Sequence, residues 1–124
     1  MTEILLIDDM AGVRRAVTAM LKRAGHAVTL ADSGAQGLEL LRSRRFDMVI
    51  TDMLMPGTDG AAILGALHAM PDRPRVIAIS GGGAGLSADS ALRLARIKAD
   101  AFLEKPFESD DLLAAIDKLM VKVG

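Results

Sequence analysis

The sequence of 124 residues predicts a single α/β domain built on a parallel sheet of five strands. Short apolar runs alternate along the chain with longer stretches whose apolar residues recur at helical spacing, which is typical of repeated strand–helix units. Charged residues follow directly after several of the runs, where the strands of such a sheet would end. The five units occupy residues 1–124, so we expect one domain and no second one.

The first two units are delimited by residues that stop or cap helices. A strand at about Glu3–Asp8 precedes a helix that we expect to stop at Gly25, because glycine readily adopts the left-handed conformation found at helix ends. A weaker strand at Ala27–Ala31 leads into a second helix, for which Ser33 is the expected N-cap. This second strand ends without reactive groups, and we expect it at an edge of the sheet.

The third unit combines a strand at Asp47–Asp52 with a helix whose apolar residues are Ile63, Leu67 and Met70. Proline and glycine at 56–57 indicate a turn between the two elements. Two further prolines, at 71 and 74, are expected to end the helix because proline lacks the N–H donor that a helix interior needs. The acidic end of this strand is therefore expected to lie next to a tight turn.

The last two units are separated by a glycine-rich loop. The fourth strand, Arg75–Ser80, is almost wholly apolar, as expected for a strand covered on both faces, and it is followed by the glycine run Gly81–Gly85. We expect a helix at roughly Ser87–Ile97 and a short fifth strand at Ala101–Glu104. A final helix begins near Ser109, where two aspartates in the first turn suit the helix dipole.

The composition excludes several classes of function. A formal net charge of -1 argues against a surface for nucleic acids or membranes, and three phenylalanines without tryptophan or tyrosine argue against base stacking. No cysteine is present, which excludes thiolate and disulfide chemistry and suits a reducing compartment. The first apolar run is too short for a signal peptide or a membrane span, so we expect a cytoplasmic protein.

Three strand ends carry charged residues that we expect to meet. Asp8 and Asp9 follow the first strand, Asp52 ends the third, and Lys105 follows the fifth. In an open parallel sheet with right-handed crossovers, ligands bind at the edge where the carboxyl ends of the strands lie. Three carboxylates at that edge repel one another strongly, so the fold needs a compensating cation or raised carboxyl pKa values. We expect a divalent metal and Lys105 to supply it.

These residues, in this order along the chain, resemble the receiver domain of two-component response regulators. The resemblance spans nearly the whole chain and is carried by Asp8-Asp9, Asp52, Met55-Pro56-Gly57, Ser80 and Lys105-Pro106-Phe107. It implies a flavodoxin-like (βα)5 fold, in which a doubly wound sheet has the strand order 2-1-3-4-5 and binds its ligand at the switch point. It also implies a single receiver domain over residues 1–124, with no output domain in this chain.

The resemblance implies phosphoryl transfer to Asp52 from a phosphohistidine of a partner, either a sensor histidine kinase or a histidine phosphotransfer protein. Asp8, Asp9 and Asp52 would bind Mg²⁺ together with the backbone carbonyl of Leu54. The domain would be a signalling phospho-acceptor that promotes its own phosphorylation and dephosphorylation, not a conventional enzyme. A separate output partner and a phosphorylation-dependent dimer are both compatible with this role.

The resemblance also assigns the remaining site residues. Lys105 would pair with Asp52 at rest and contact a phosphoryl oxygen afterwards. Ser80 would donate its hydroxyl to the phosphoryl group and draw the following loop inward. Phe102 would move inward with Ser80, although a plain core role explains this phenylalanine equally well. Phosphorylation would thereby alter the surface of the fourth helix, fifth strand and fifth helix, where a partner would bind.

Several alternatives stay open at this level. Asp8 and Asp9 also suit a pair of helix N-cap residues, and Asp52 suits a strand-end turn. A phosphatase of the haloacid dehalogenase type needs a second acid where Leu54 stands, and the run Gly81–Gly85 has neither of the usual nucleotide-binding glycine patterns. A receiver fold that serves as a non-phosphorylated interaction module is the main alternative.

Overall fold

The computed structural model describes residues 2–52, 54–55, 58–80, 99–104 and 107–121. The elements within these ranges are, in chain order, β1 (Glu3–Ile7), α1 (Ala11–Arg23), β2 (Ala27–Ala31), α2 (Gly34–Ser43), β3 (Met48–Asp52), the two-residue strands β4 (Leu54–Met55) and β5 (Thr58–Asp59), α3 (Gly60–His68), β6 (Arg75–Ser80), β7 (Ala101–Glu104) and α4 (Ser109–Val121). The glycine run, the helix expected at 87–97, Lys105 and Pro106 lie outside the described residues.

Five parallel strands form the main sheet in the spatial order β2-β1-β3-β6-β7. Numbered among themselves along the chain, these strands have the order 2-1-3-4-5, so the predicted topology is confirmed. The central strand β3 places Ile50 opposite Leu6 of β1 and Asp52 opposite Ile79 of β6. The prediction of β2 at an edge is also confirmed. β4 and β5 form a separate antiparallel pair just after β3.

Both faces of the sheet are covered by helices. Leu5 and Ile7 of β1 belong to a buried cluster with residues of α2 and α3. Ile4 and Leu6 belong to a second cluster with residues of α1 and α4 on the opposite face. Successive side chains of a strand point to opposite faces, so an inner strand of a doubly covered sheet must be apolar at nearly every position. The strands read as continuous apolar runs in the sequence because helices cover both faces of the sheet.

The predicted helix boundaries at Gly25 and Ser33 are confirmed. Gly25 has a φ of 92°, its N–H donates to the Lys22 carbonyl at 3.0 Å, and the His26 N–H donates to the Leu21 carbonyl at 3.0 Å. These two bonds are the Schellman pattern that closes a helix C-terminus. At the start of α2, the Ser33 hydroxyl accepts from the Gln36 N–H at 3.2 Å. Each cap satisfies backbone groups that would otherwise lack a partner within the helix.

The third helix ends earlier than its apolar pattern predicts. α3 stops at His68, and Met70 lies beyond it in a turn, where its N–H donates to the Leu67 carbonyl at 3.1 Å. Pro71 has no N–H to donate to that carbonyl, so an α-helical bond at this position cannot form and the chain tightens instead. The inclusion of Met70 in the helix was therefore wrong. Within the described part of the chain, every helix is too short or too polar to cross a membrane.

A Gly37→Ala substitution in α2 should destabilise the protein. A Cβ atom at this position would lie 2.5 Å from Cδ1 and 2.9 Å from Cγ1 of Ile7, a fully buried residue. We expect the free energy of unfolding to fall by about 1–3 kcal/mol in urea titrations, the usual cost of overpacking a core. Gly65→Ala is the matched control, because its Cβ meets nothing within 4 Å. That variant should gain about 0.5–1 kcal/mol from helix propensity. Equal stability of the Gly37→Ala variant and the wild type would show that Ile7 can repack.

Candidate functional site

Three acidic side chains converge at the carboxyl edge of the sheet. β1 and β3 lie side by side with Ile7 opposite Thr51, so the next residues, Asp8 and Asp52, are neighbours. Asp8 is fully buried, Asp52 is 4% exposed, and Asp9 is exposed. One carboxylate oxygen from each of the three lies within 4.8 Å of the others. The structure thus brings together the three acids that the sequence predicts to meet.

The turn between β1 and α1 is held by hydrogen bonds to the backbone and the side chain of Asp8. The Asp8 N–H donates to the Ala31 carbonyl at 3.1 Å, and one Asp8 carboxylate oxygen accepts from the Met10 N–H at 2.9 Å. The N-cap of α1 is Met10, which makes no side-chain capping bond. The interpretation of Asp8 and Asp9 as an N-cap pair was therefore wrong, because neither residue caps the helix.

Arg14 contacts this turn, and the sequence analysis did not identify it. Its guanidinium donates through Nη1 to the backbone carbonyl of Asp8 at 2.7 Å, and the bond is partly buried. Arg14 lies one turn into α1, where its own N–H donates to the Met10 carbonyl at 3.0 Å. A basic residue one helical turn after an acidic strand end was the available signal, but such residues more often face solvent.

The donors of this cluster suit a hard divalent cation. Carboxylate oxygens are the ligands that Mg²⁺ prefers, and two acids that are buried side by side have a mutual repulsion that a cation offsets. Leu54, the expected source of a carbonyl ligand, begins β4 two residues after Asp52 and pairs there with Asp59. Leu54 is therefore close in sequence to the acidic end of β3 and begins a short antiparallel pair.

The other predicted site residues lie along the neighbouring strands. Ser80 is the last residue of β6, one position beyond the partner of Asp52, and it pairs with Glu104 of β7. Its backbone therefore lies at the same edge as the acids. Phe102 of β7 is partly buried against the cluster of α2 and α3. Lys105 directly follows Glu104 in the sequence and lies outside the described residues.

A polar network that the sequence analysis did not predict fixes β7 beside β6 at the opposite end of the sheet. Asp100 receives two hydrogen bonds from the Arg73 guanidinium, at 2.9 and 3.0 Å. The Val76 N–H donates to the same carboxylate at 2.8 Å, and the Asp100 N–H donates to the Val76 carbonyl at 2.9 Å. Because this network joins the starts of both strands, it sets the register that places Ser80 beside Glu104.

The pKa of Asp100 is lower than that of an ordinary aspartate. Burial alone would raise this pKa, but the hydrogen bonds from Arg73 and Val76 and the charges of Arg73 and Arg75 outweigh the burial. The hydrogen bond from the Arg73 guanidinium to Asp100 raises the pKa of Arg73 further above neutrality. The ion pair is consequently fully charged across the neutral range.

An Asp100→Asn variant should be less stable than the wild type by about 1–2 kcal/mol at pH 7, because it loses a bidentate, partly exposed ion pair. A carboxylate with a lowered pKa stabilises the fold above its unfolded pKa, near 4 for an aspartate, and this stabilisation disappears as the pH falls through the folded value. Urea titrations should therefore show the stability gap closing below about pH 4.

Asp72→Asn is the control for this substitution. Asp72 is 83% exposed and lies 3.8 Å from Arg45, which is itself 93% exposed. An exposed ion pair of this kind contributes little, so the free energy of unfolding should change by less than about 0.5 kcal/mol. A pH-independent gap between the Asp100→Asn variant and the wild type would contradict the role of the Asp100 charge.

Comparison with known proteins links this site to signalling proteins. The profile of the response regulator receiver domain family matches residues 4–117. The transcriptional regulatory protein FixJ of Bradyrhizobium diazoefficiens is 36% identical over 114 residues, which are 92% of this chain and 54% of FixJ. Sporulation initiation phosphotransferase F of Bacillus subtilis is 29% identical over 118 residues, 95% of this chain and 93% of that protein. The chain spans about half the length, or less, of several curated relatives that it matches.

A solved structure with a bound ligand shows the same architecture. The response regulator protein TrrA from Thermotoga maritima, crystallised in complex with Mg²⁺ and BeF, superposes with a TM-score of 0.81. The two sequences are 28% identical, and the match covers 96% of this chain and 99% of that one. The doubly wound fold of the present chain therefore has a counterpart among known receiver structures.

Proposed function

Because the chain belongs to the response regulator receiver domain family, we propose that Asp52 accepts a phosphoryl group from a phosphohistidine of a partner protein. Members of this family act in two-component signalling as phospho-acceptors. The observation that supports Asp52 is its place in the acidic cluster: it ends the central strand β3, is nearly buried, and lies within reach of Asp8 and Asp9. We also propose that residues 1–124 form one receiver domain with a cytoplasmic location.

The reaction requires one bond to form and one to break. A carboxylate oxygen of Asp52 attacks phosphorus while the P–N bond to the partner's imidazole breaks, and the leaving nitrogen takes up a proton. Burial of Asp52 holds its carboxylate in one orientation and limits competing hydration of the nucleophile. The position at the carboxyl end of the central strand leaves the incoming group access from the open edge of the sheet.

Receiver domains bind Mg²⁺ at an acidic pocket, and in this chain we assign it to Asp8, Asp9 and Asp52 with the backbone carbonyl of Leu54. When bound, Mg²⁺ neutralises negative charge that develops on the transferring phosphoryl oxygens. Asp8 and Asp52 provide buried carboxylates, and Asp9 provides an exposed one. This mixture leaves the pocket open to solvent on one side, where a divalent cation can keep some of its water ligands.

We assign the response to phosphorylation to Ser80, Lys105 and Phe102. Ser80 would donate a hydroxyl hydrogen bond to the phosphoryl group, and Lys105 would provide a positive charge beside it. The pairing of Ser80 with Glu104 supports this assignment, because Lys105 directly follows Glu104 in the sequence. Phe102 packs two residues before Glu104, so a movement of Ser80 would reach it through the β6–β7 ladder.

The resulting surface change would involve the predicted helix at 87–97, β7 and α4. We propose a sensor histidine kinase or a histidine phosphotransfer protein as the phosphoryl donor and a separate protein as the output partner. The similarity to a sporulation phosphotransferase over nearly its whole length supports a chain that works as a relay domain. The same acids would also assist loss of the phosphoryl group, since the cation that they would hold would offset negative charge on the phosphoryl oxygens there as well.

Intact mass spectrometry after incubation with acetyl phosphate tests the proposal. The wild-type protein should gain one phosphoryl group in the presence of Mg²⁺ and none after treatment with a chelator. Peptide mapping of the adduct should locate it on the segment that contains Asp52. A protein that never gains the group under these conditions would be a non-phosphorylated interaction module, the main alternative.

A further inference from the structure

The side chain of Arg14 contacts the acidic turn between β1 and α1, and this contact is among the hydrogen bonds that the structure describes. Its Nη1 donates to the backbone carbonyl of Asp8 at 2.7 Å, which is short for an N–H···O bond and typical of a charged donor. The contact is partly buried, so solvent competes with it less than with a surface pair. The interaction joins the first turn of α1 to Asp8, the residue that follows β1.

Three of the hydrogen bonds described for Asp8 each act on a different group. Its N–H is held by Ala31 of β2, one carboxylate oxygen by the Met10 N–H, and its carbonyl by Arg14. The Arg14 bond acts on the peptide plane between Asp8 and Asp9, because its acceptor is the carbonyl of that peptide. Rotation of this plane would move the Asp9 carboxylate relative to Asp8 and change the separation of their oxygens.

We propose that Arg14 is a positioning residue for the Mg²⁺ site: through the Asp8 carbonyl it holds the carboxylates of Asp8 and Asp9 in the arrangement that binds the cation. This inference rests on the proposed function, because it assumes that the acidic cluster is the metal site. Residues that orient metal ligands typically contribute a factor of about 10–100 to metal affinity.

The positive charge of Arg14 and its hydrogen bond have opposite effects on Mg²⁺ affinity. A guanidinium close to the cluster repels an incoming cation, so its removal would by itself strengthen Mg²⁺ binding. Loss of the hydrogen bond would free the Asp8–Asp9 peptide and weaken binding. The sign of the change in affinity therefore distinguishes a positioning role from an electrostatic one.

Isothermal titration calorimetry with Mg²⁺ provides the test, with Arg14→Ala, Arg14→Lys and Arg15→Ala compared with the wild type. Arg15 is the matched control, because it is the next residue of the same helix, carries the same charge and is exposed. We expect about tenfold weaker binding for Arg14→Ala, intermediate binding for Arg14→Lys and less than a twofold change for Arg15→Ala. Thermal unfolding of each variant without metal verifies that it is folded.

Each outcome has a distinct meaning. If the Arg14→Ala variant binds Mg²⁺ as tightly as the wild type, or more tightly, the positioning role is overturned while the proposed function stands. Equal weakening in Arg14→Ala and Arg15→Ala would assign the effect to helix α1 as a whole and would also overturn it. If Arg14→Ala does not fold, Arg14→Lys decides the question by the same criterion. A wild-type protein that binds no Mg²⁺ would overturn the proposed function, and the positioning role with it.

Discussion

An Asp52→Asn variant should form no covalent adduct with acetyl phosphate and Mg²⁺, whereas the wild-type protein should gain one phosphoryl group per chain. The amide of asparagine is neutral and a far weaker nucleophile than a carboxylate, and it offers a poorer ligand for the cation. Asparagine has nearly the same shape as aspartate, so the buried end of β3 should keep its packing. Intact mass spectrometry measures the result directly.

Asp47→Asn is the matched control for this prediction. Asp47 precedes β3 at the opposite end of the same strand, and its carboxylate accepts a hydrogen bond from the Glu3 N–H at 2.8 Å. An asparagine oxygen can accept the same bond, so this variant should be phosphorylated like the wild type. A phosphoryl group that persists in Asp52→Asn would contradict the assignment and would make Asp8 or Asp9 the next acceptor to test.

The effect of an Asp8→Asn substitution on stability should reverse sign with Mg²⁺. Without metal, the variant should be at least as stable as the wild type, because it removes one of three mutually repelling charges, two of which are buried. Its side-chain oxygen can still accept from the Met10 N–H. With Mg²⁺ at about 100 times the wild-type dissociation constant, the wild type should gain about 2.7 kcal/mol and the variant should lose most of this gain.

Urea titrations with Mg²⁺ and with a chelator measure both parts of this prediction. Asp32→Asn is the control, since Asp32 is an exposed acid directly after β2 and lies outside the acidic cluster. Its stability should respond to Mg²⁺ in the same way as that of the wild type. If Mg²⁺ stabilises the Asp8→Asn variant as strongly as the wild type, the cation binds elsewhere.

Features encoded in short stretches of sequence could be predicted from the sequence alone. The bounds of β2 and β6 agree with the predicted strands, and Gly25 and Ser33 end and begin helices where expected. The same holds for the acidic edge. Once Asp8 and Asp52 are placed at the carboxyl ends of strands, the parallel direction of those strands determines that they share one edge of the sheet.

Other features depend on how the helices pack against the sheet, and no short stretch of sequence contains them. The Arg14 bond to the Asp8 carbonyl requires a particular rotation of α1, and the Arg73–Asp100 pair joins residues that are 27 positions apart. The contact between Gly37 and Ile7 likewise reflects how closely α2 approaches β1. The sequence thus determined the order of the elements and the residue types at the acidic edge, because periodicity and caps are local. Only the tertiary structure decided which side chains orient those acids, since such contacts arise from the distances between packed elements.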